Sequence, residues 1–151
     1  ACVARWWSRI GCHRYRDAGE LLLLADAGGS NGWRPRLWKM CLQEMVADRY
    51  GLDVTVGHYP VGASKWNPVE HRLFGPISIN WCGQPLCTPE VMLGFLKGTK
   101  GLDVNAEWWD RPFLKGRKAS DQEMSQLEID HNENCTNWNY TIKPRGSHSW
   151  N

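Results

Sequence analysis

The stretch LLLLADAGGSNG (residues 21–32) decides the fold of this chain. Residues 21–25 form a short apolar run between polar turns, which is the pattern of a strand buried on both faces of a sheet. The run ends at Asp26, and the glycine-rich residues 27–32 that follow have the composition of a loop. A buried strand that ends in a carboxylate and a loop is typical of α/β sheets, whose active sites lie at the carboxyl ends of the strands.

Helices and strands alternate along the rest of the chain, as the spacing of apolar residues and the capping signals predict. In order, the predicted elements are a helix over residues 1–15 that Gly11 interrupts, the strand over 21–25, a helix over 37–50, a strand over 52–59, helices that begin at Asn67 and Thr88, a strand over 102–108, a polar linker over 110–119, a short helix from Ser120 and a strand over 138–143. We expect Gly75 and Pro76 to kink or end the helix that begins at Asn67. Strands joined through a helix are expected to be parallel, so the pattern indicates an α/β fold.

Length and composition exclude several classes of protein. The 151 residues suit one domain, and 42% hydrophobic with 23% charged residues is close to the globular average. That balance excludes a wholly disordered chain, a collagen-like repeat and a coiled coil. No apolar run approaches the ~20 residues of a membrane helix, and no signal segment is visible. We therefore expect a cytoplasmic protein without a membrane partner. The net charge of +2 neither requires nor excludes binding to nucleic acid.

The six cysteines do not form a recognisable framework. No CxxC pair occurs, and the nearest approaches to zinc spacing are Cys82 with Cys87 and His131 with Cys135. Free or buried thiols are favoured over a structural zinc site. Most of the ten tryptophans are expected to pack in the core, although exposed ones can stack on nucleic acid bases.

Two carboxylates stand where chemistry is expected. Asp26 ends a strand, and Glu70 lies in the first turn of the helix that follows the next strand. Carboxylates placed at one sheet edge bind hard cations such as Mg²⁺, and a pair of such ions supports phosphoryl transfer. From the residues alone a pair of acids is a weak signal, and structural roles are favoured, because Asp26 can cap its loop and Glu70 can pair with the helix cap at Asn67.

Basic residues and histidines near these acids also have two interpretations. Lys65, and a cluster formed by Arg34, Arg36 and Lys39, can contact a phosphate backbone or can simply be solvated. The histidines at positions 58 and 71 are interpreted as satisfied polar residues rather than metal ligands.

Two motifs resemble a known family. LLADAGGSNG (residues 23–32) resembles the segment that carries the second acid of DDE insertion-sequence transposases, and HYPVGASKWNPVEHRLF (residues 58–74) resembles the segment that carries the third. The similarity is greatest to the ISAzo-type group, and it extends from RWW (residues 5–7) to WNYTIKPR (residues 138–145).

The resemblance implies a fold, a reaction and a set of residues. The fold is an RNase H-like (DDE integrase-type) domain, a mixed sheet flanked by helices, in which three acids bind two Mg²⁺ or Mn²⁺ ions and no small-molecule cofactor is needed. Such enzymes cut element ends by attack of water and join the freed 3′-hydroxyl to target DNA. Asp26 would be the second acid and Glu70 the third, both as catalytic residues and metal ligands. The residues expected to contact DNA or to support the metal ligands are Ser30, Asn31, Arg34, Arg36, Lys65 and Asn67. The expected partners are transposon-end and target DNA and other copies of the protein, in a bacterial, nucleoid-associated setting.

One departure from the family pattern affects these expectations. The first acid of the family lies on a three-stranded meander upstream of the helix at residues 1–15, and Asp17, in a polar turn, is no substitute for it. We therefore expect residues 1–143 to form a partial catalytic domain whose N-terminal meander is missing, residues 144–151 to form a flexible tail, and the chain to be inactive alone. The alternatives are an RNase H-like nuclease without strand transfer and a non-catalytic remnant that binds DNA or another subunit.

Overall fold

The computed structural model describes residues 1–108 and 116–146, with nothing described for the side chain of Ser64. The chain divides into two units, one made of residues 1–61 and 116–151 and the other of residues 62–115. Each unit is described by itself.

The first unit is a sheet packed against two long helices. Its elements are α1 (residues 2–14), β1 (Glu20–Asp26), α2 (residues 36–50), β2 (Asp53–Tyr59), α5 (Asp121–Ser125), β3 (Ile129–His131) and β4 (Asn139–Ile142). Both long helices contain a π-helical turn, Trp7–Gly11 in α1 and Gln43–Ala47 in α2. Gly51 ends α2 in the left-handed conformation (φ 64°), as the sequence predicts.

The sheet is mixed, with strand order β1-β2-β4-β3. β1 and β2 are joined through α2 and run parallel, with Ala25 opposite His58 and Asp26 opposite Tyr59. β4 is antiparallel to both β2 and β3. The α/β class and the mixed sheet flanked by helices are therefore confirmed. Within the described residues β1 pairs with β2 only, so it is an edge strand of the sheet.

The core of this unit lies on one face of the sheet. Alternate residues of the strands meet side chains of α1 and α2 there, and the buried members are Ala4, Trp7, Leu42, Val46, Ala47, Leu52, Val54, Val56, Tyr140 and Ile142. The prediction that β1 is buried on both faces is wrong, because Leu22 and Leu24 are 62% and 60% exposed. They point away from the packed face, and only the other residues of the run, such as Leu23, contact the core.

Gly11 does not interrupt α1, which continues to Arg14. A Cβ atom at position 11 would lie 2.5 Å from Cε3 of Trp7. The glycine therefore makes room for the buried Trp7 ring rather than breaking the helix.

The second unit is described over residues 62–108 and contains α3 (residues 68–80) and α4 (Pro89–Lys97). Asn80 Nδ2 donates to the Phe95 carbonyl (2.7 Å) and so ties the two helices together. Gly75 and Pro76 do not end the helix, because α3 runs through both, so of the two expected outcomes the ending of the helix is ruled out. A π-helical turn, Glu70–Phe74, widens the backbone just before Pro76, where the proline ring would otherwise clash with the preceding turn.

The remaining predicted elements have different outcomes. Residues 102–108 form no strand, because an alternating segment needs a neighbouring strand with which to pair, and these residues have none in the described part of the chain. The predicted linker over 110–119 lies partly outside the described residues. The helices beginning after Thr88 and Ser120 are confirmed, each with its predicted side-chain cap. The short strand β3 was not predicted.

The domain boundaries, one domain over residues 1–143 and a tail from 144, stay a prediction. Within that tail the Arg145 side chain pairs with Asp48 of α2 at 2.6 Å.

Candidate functional site

Asp26 lies at the carboxyl end of β1, and its side chain is exposed on the open face of the sheet. Its Oδ1 atom accepts a hydrogen bond from the backbone N–H of Ala27 (2.8 Å). No hydrogen bond of Oδ2 is found within the described residues. The carboxylate thus holds the first residue of the loop that follows it and keeps one oxygen available for a ligand.

The loop after Asp26 turns back on itself. Gly29–Asn31 form a single 3₁₀ turn, in which Ser30 and Asn31 are exposed beside the strand end. A Cβ atom at Gly32 would lie 2.6 Å from the Ala27 carbonyl oxygen, so the loop closes tightly enough to require glycine there.

An aromatic pair lies just beyond this loop. The rings of Trp33 and Trp138 stack at a centroid distance of 6.3 Å and an interplanar angle of 25°. The exposed guanidinium of Arg34 lies 4.8 Å from the centroid of Trp33. Trp138 precedes β4 and reaches this edge because β4 runs antiparallel to β2. It was missed as a site residue, because only the antiparallel pairing of β4 brings position 138 to the edge that carries Asp26.

The basic cluster near Asp26 does not form one patch. Arg36 pairs with Asp121 at 2.5 Å, and both side chains are largely exposed. Lys39 lies 5.0 Å from the centroid of the Tyr140 ring, and burial lowers its pKa. Of the three, Arg34 is the one that is exposed and lies over the half-buried ring of Trp33.

Glu70 lies in the first turn of α3 in the second unit, with its side chain exposed. The Asn67 side chain caps this helix by accepting from the N–H of Val69 (3.1 Å). Nε2 of His71 donates to the Lys65 carbonyl (2.8 Å), and the Lys65 ammonium lies 5.0 Å from the ring centroid of Trp66. The structure thus brings Lys65, Asn67 and Glu70 together at the start of one helix. Glu70 and Asn67 are also joined directly, because the Glu70 N–H donates to the Asn67 carbonyl (3.1 Å).

A chain of hydrogen bonds lies behind Asp26 on the packed face. His58 is 6% exposed, with Nδ1 at 3.2 Å from the Asp26 carbonyl oxygen and Nε2 at 3.3 Å from the Tyr140 hydroxyl. Trp38 Nε1 donates to the same hydroxyl (3.1 Å). Burial lowers the pKa of His58, despite the opposing hydrogen bond to Asp26, and burial raises the pKa of Tyr140 to about 12. The interpretation of His58 as a satisfied polar residue agrees with these contacts, but the sequence did not indicate its link to Asp26. One feature of the sequence does point to its inward position. His58 is an even-numbered residue of the same strand as Val54 and Val56, and alternate residues of a strand share a face, so its side chain is expected to point into the core with theirs.

A surface cleft of about 550 Å³ lies beside His58 at the same end of the sheet. Its lining comes from His58, Pro60 and the turn over residues 135–139. In this turn the carbonyl of Cys135 accepts from the N–H groups of Trp138 (2.7 Å) and Asn139 (2.9 Å). The cleft therefore lies at the end of the sheet where β1 carries Asp26, and Trp138 is among its lining residues.

Possible metal ligands are dispersed. Among residues 1–108 and 116–146, no three His, Cys, Asp or Glu side chains are grouped so that they could hold one ion. All six cysteines are free thiols. The exposed oxygen of Asp26 nevertheless has the hard-donor chemistry that Mg²⁺ and Mn²⁺ prefer.

A family model described as the Rhodopirellula transposase DDE domain matches residues 1–144 of the chain. The chain belongs to this family. No curated protein and no solved structure matches it significantly.

Membership of a DDE transposase family carries general consequences. Such proteins act in transposition, cleave DNA, bind DNA and generally use divalent metal ions.

None of the helices in the described parts of the chain has the length and apolar character needed to span a membrane.

Proposed function

We propose that this chain acts in DNA transposition by metal-dependent phosphoryl transfer, and that residues 1–143 form a partial RNase H-like catalytic domain. The observation that carries the proposal is the family match over residues 1–144, which includes both acid-bearing motifs. Asp26 and Glu70 are proposed as two of the metal-binding carboxylates. In support, Asp26 ends a parallel strand with one oxygen available, and Glu70 begins a helix with its carboxylate exposed.

The proposed reaction depends on carboxylates that hold divalent cations. When bound, the cations activate the attacking oxygen and stabilise the leaving oxygen of an in-line displacement. Asp26 contributes a carboxylate oriented by its own backbone, and Glu70 contributes one on the first turn of α3. Water is the nucleophile that cuts the element end, and the freed 3′-hydroxyl is the nucleophile that joins it to target DNA.

The surroundings of each acid support contacts with DNA. Stacked tryptophans with a cation over one ring form the kind of surface on which unpaired bases stack, and Trp33, Trp138 and Arg34 provide one beside Asp26. Ser30 and Asn31 offer hydrogen-bonding groups at the same edge. Arg36 is engaged with Asp121, but exposed ion pairs contribute little, so it can exchange that partner for a phosphate.

Residues around Glu70 are proposed to serve the same purpose. The Lys65 ammonium is exposed and can contact a phosphate. Asn67 orients the first turn of α3 through its cap to Val69 and thereby supports Glu70. The proposal extends to self-association in the active assembly.

The test is a strand-transfer assay with end-labelled transposon-end DNA and Mn²⁺. We expect no joining by the 151-residue chain alone, because two carboxylates bring two negative charges to two divalent cations. We expect joining when the upstream segment carrying the family's first acid is supplied in cis or as a peptide. The variants Asp26→Asn and Glu70→Gln should each reduce that activity by at least about 100-fold, whereas the exposed controls Asp17→Asn and Asp103→Asn should not.

The alternatives give different products. A nuclease would give cuts without joined strands. A non-catalytic remnant would bind DNA with a steep salt dependence and form no Mn²⁺-dependent product. Robust joining by the 151-residue chain alone would show that an acid other than these completes the site.

A further inference from the structure

The peptide bond between Asp26 and Ala27 is held from both sides. Its carbonyl oxygen lies 3.2 Å from Nδ1 of His58 on the packed face of the sheet. Its N–H group donates to Oδ1 of Asp26 at 2.8 Å. Because a trans peptide is planar, its C=O and N–H groups point in opposite directions, and holding one fixes the direction of the other.

For a neutral imidazole at His58, the hydrogen-bond chain behind this peptide has one consistent assignment of protons. An indole N–H can only donate, so Trp38 donates to the Tyr140 hydroxyl. The hydroxyl proton is then available for Nε2 of His58. A backbone carbonyl can only accept, so His58 must carry its proton on Nδ1 and donate it to Asp26. The tautomer is thus assigned from the partners of the ring.

Both ring nitrogens of His58 are therefore occupied. The residue is also only 6% exposed. His58 is therefore not available to bind a metal ion or to accept a proton from a substrate. Its hydrogen bonds connect Trp38 of α2 and Tyr140 of β4 to the Asp26 carbonyl at the end of β1. The Asp26 side chain follows next, through the N–H of Ala27.

We propose that His58 is a positioning residue for the Asp26 carboxylate, acting through the Asp26–Ala27 peptide. Donation from His58 turns the carbonyl toward the packed face, so that the Ala27 N–H points to the open face and binds Oδ1. Oδ2 is thereby left as the oxygen directed away from the backbone and available to a divalent cation. The proposal rests on the proposed function only in taking Asp26 as a metal ligand.

The first measurement is independent of any metal. Long-range ¹H–¹⁵N spectra of the 151-residue chain should show His58, assigned by its loss in His58→Asn, as the neutral Nδ1–H tautomer. In His58→Leu, which cannot donate, the amide hydrogen of Ala27 should exchange about fivefold faster. In His58→Asn the side-chain amide can replace Nδ1 as donor, and exchange should stay near the wild-type rate.

The second measurement uses Mn²⁺ alone, followed by paramagnetic broadening of the amide signals around Asp26. His58→Leu should weaken the apparent affinity about tenfold, a typical cost of losing a group that orients a ligand. His58→Asn should recover most of the loss. Val56→Ala is the matched control, because it removes buried packing from the same face of β2 and leaves the hydrogen-bond chain intact. Tyr140→Phe, which removes only the hydroxyl, provides a second variant if His58→Leu does not fold.

The outcomes separate the two claims. Absence of Mn²⁺ broadening near Asp26 in the wild type would refute Asp26 as a metal ligand, and Ala27 exchange would then decide the role of His58. An Nε2–H tautomer would overturn the positioning role. So would unchanged Ala27 exchange in a folded His58→Leu, or equal Mn²⁺ affinities in His58→Leu and the wild type.

Discussion

Gly57 lies directly opposite Leu24 in the parallel register of β1 and β2, and a Cβ atom at Gly57 would be 3.4 Å from Leu24 Cδ2. The glycine gives Leu24 no cover, and Leu24 and Leu22 are 60% and 62% exposed. Two exposed leucines on this strand form an apolar surface beside backbone groups that have no strand partner among residues 1–108 and 116–146. Such an edge favours association with another chain.

We therefore expect the 151-residue chain to self-associate at micromolar concentration. The double variant Leu22→Thr/Leu24→Thr should shift the elution volume in size-exclusion chromatography toward that of a monomer, because it keeps β propensity and removes apolar surface. Ile79→Thr is the control, since Ile79 is 78% exposed but lies on a helix. A monomeric wild-type peak, or an equal shift with Ile79→Thr, would contradict the role of β1.

The ion pair between Asp48 and Arg145 predicts that the folded state loses stability in acid. Burial alone would raise its pKa, but hydrogen bonds from Arg145 and Gln43 and the charge of Arg145 hold the pKa below its ordinary value of 3.8. A carboxyl whose pKa is lower in the folded state stabilises that state above its unfolded pKa, and this stabilisation is lost as the pH falls through the folded pKa. Urea unfolding at pH 7 should show Asp48→Asn less stable than the wild type by about 1–2 kcal/mol. The difference should shrink steadily below pH 4, and a pH-independent difference would argue against the ion pair as its source.

Gln43 connects three segments from inside the core. The residue is 0% exposed; its Nε2 donates to Asp48 and to the Lys143 carbonyl (2.7 Å each), and its Oε1 accepts from the Glu128 N–H (2.9 Å). Gln43→Leu should lower the free energy of unfolding by about 2–4 kcal/mol, because it leaves buried polar groups unpaired. Thermal and urea unfolding measure the effect. The neighbouring exposed Glu44 offers the control, and Glu44→Leu should change stability by less than about 0.5 kcal/mol.

Gly32 is expected to be sensitive for a steric reason. A Cβ atom there would lie 2.6 Å from the Ala27 carbonyl oxygen, so Gly32→Ala must shift the loop that carries Ser30 and Asn31. We expect a loss of about 1–3 kcal/mol in unfolding free energy and shifted amide signals for residues 26–32. Gly19→Ala is the matched control, since a Cβ at Gly19 meets nothing within 4 Å. Equal effects of the two substitutions would show that loss of glycine flexibility, not the close contact, is responsible.

Some features of the candidate site could be predicted from the sequence, and others became visible only in the tertiary structure. The exposed carboxylates of Asp26 and Glu70, the cap at Asn67 and the loop with Ser30 and Asn31 follow from local patterns, since each depends on a few neighbouring residues. Their catalytic and metal-binding roles stay predictions. The structure added Trp138 and His58, which come near Asp26 only through the pairing of β2 with β1 and β4.

The sequence by itself determined the elements whose signals are local. Periodicity and caps placed α2, β2, α4 and β4 correctly, because apolar spacing and cap residues act within one or two turns. Family motifs, read in order along the chain, identified the transposase family. Tertiary structure decided the rest. It left Leu22 and Leu24 exposed, because only one face of the sheet is packed. It let α3 pass Pro76 through a π-helical turn, and it left residues 102–108 without a strand partner in the described part of the chain. It also placed His58 behind Asp26, because a contact between residues 32 positions apart depends on how β1 and β2 align, and this alignment is set when the two strands pair and pack.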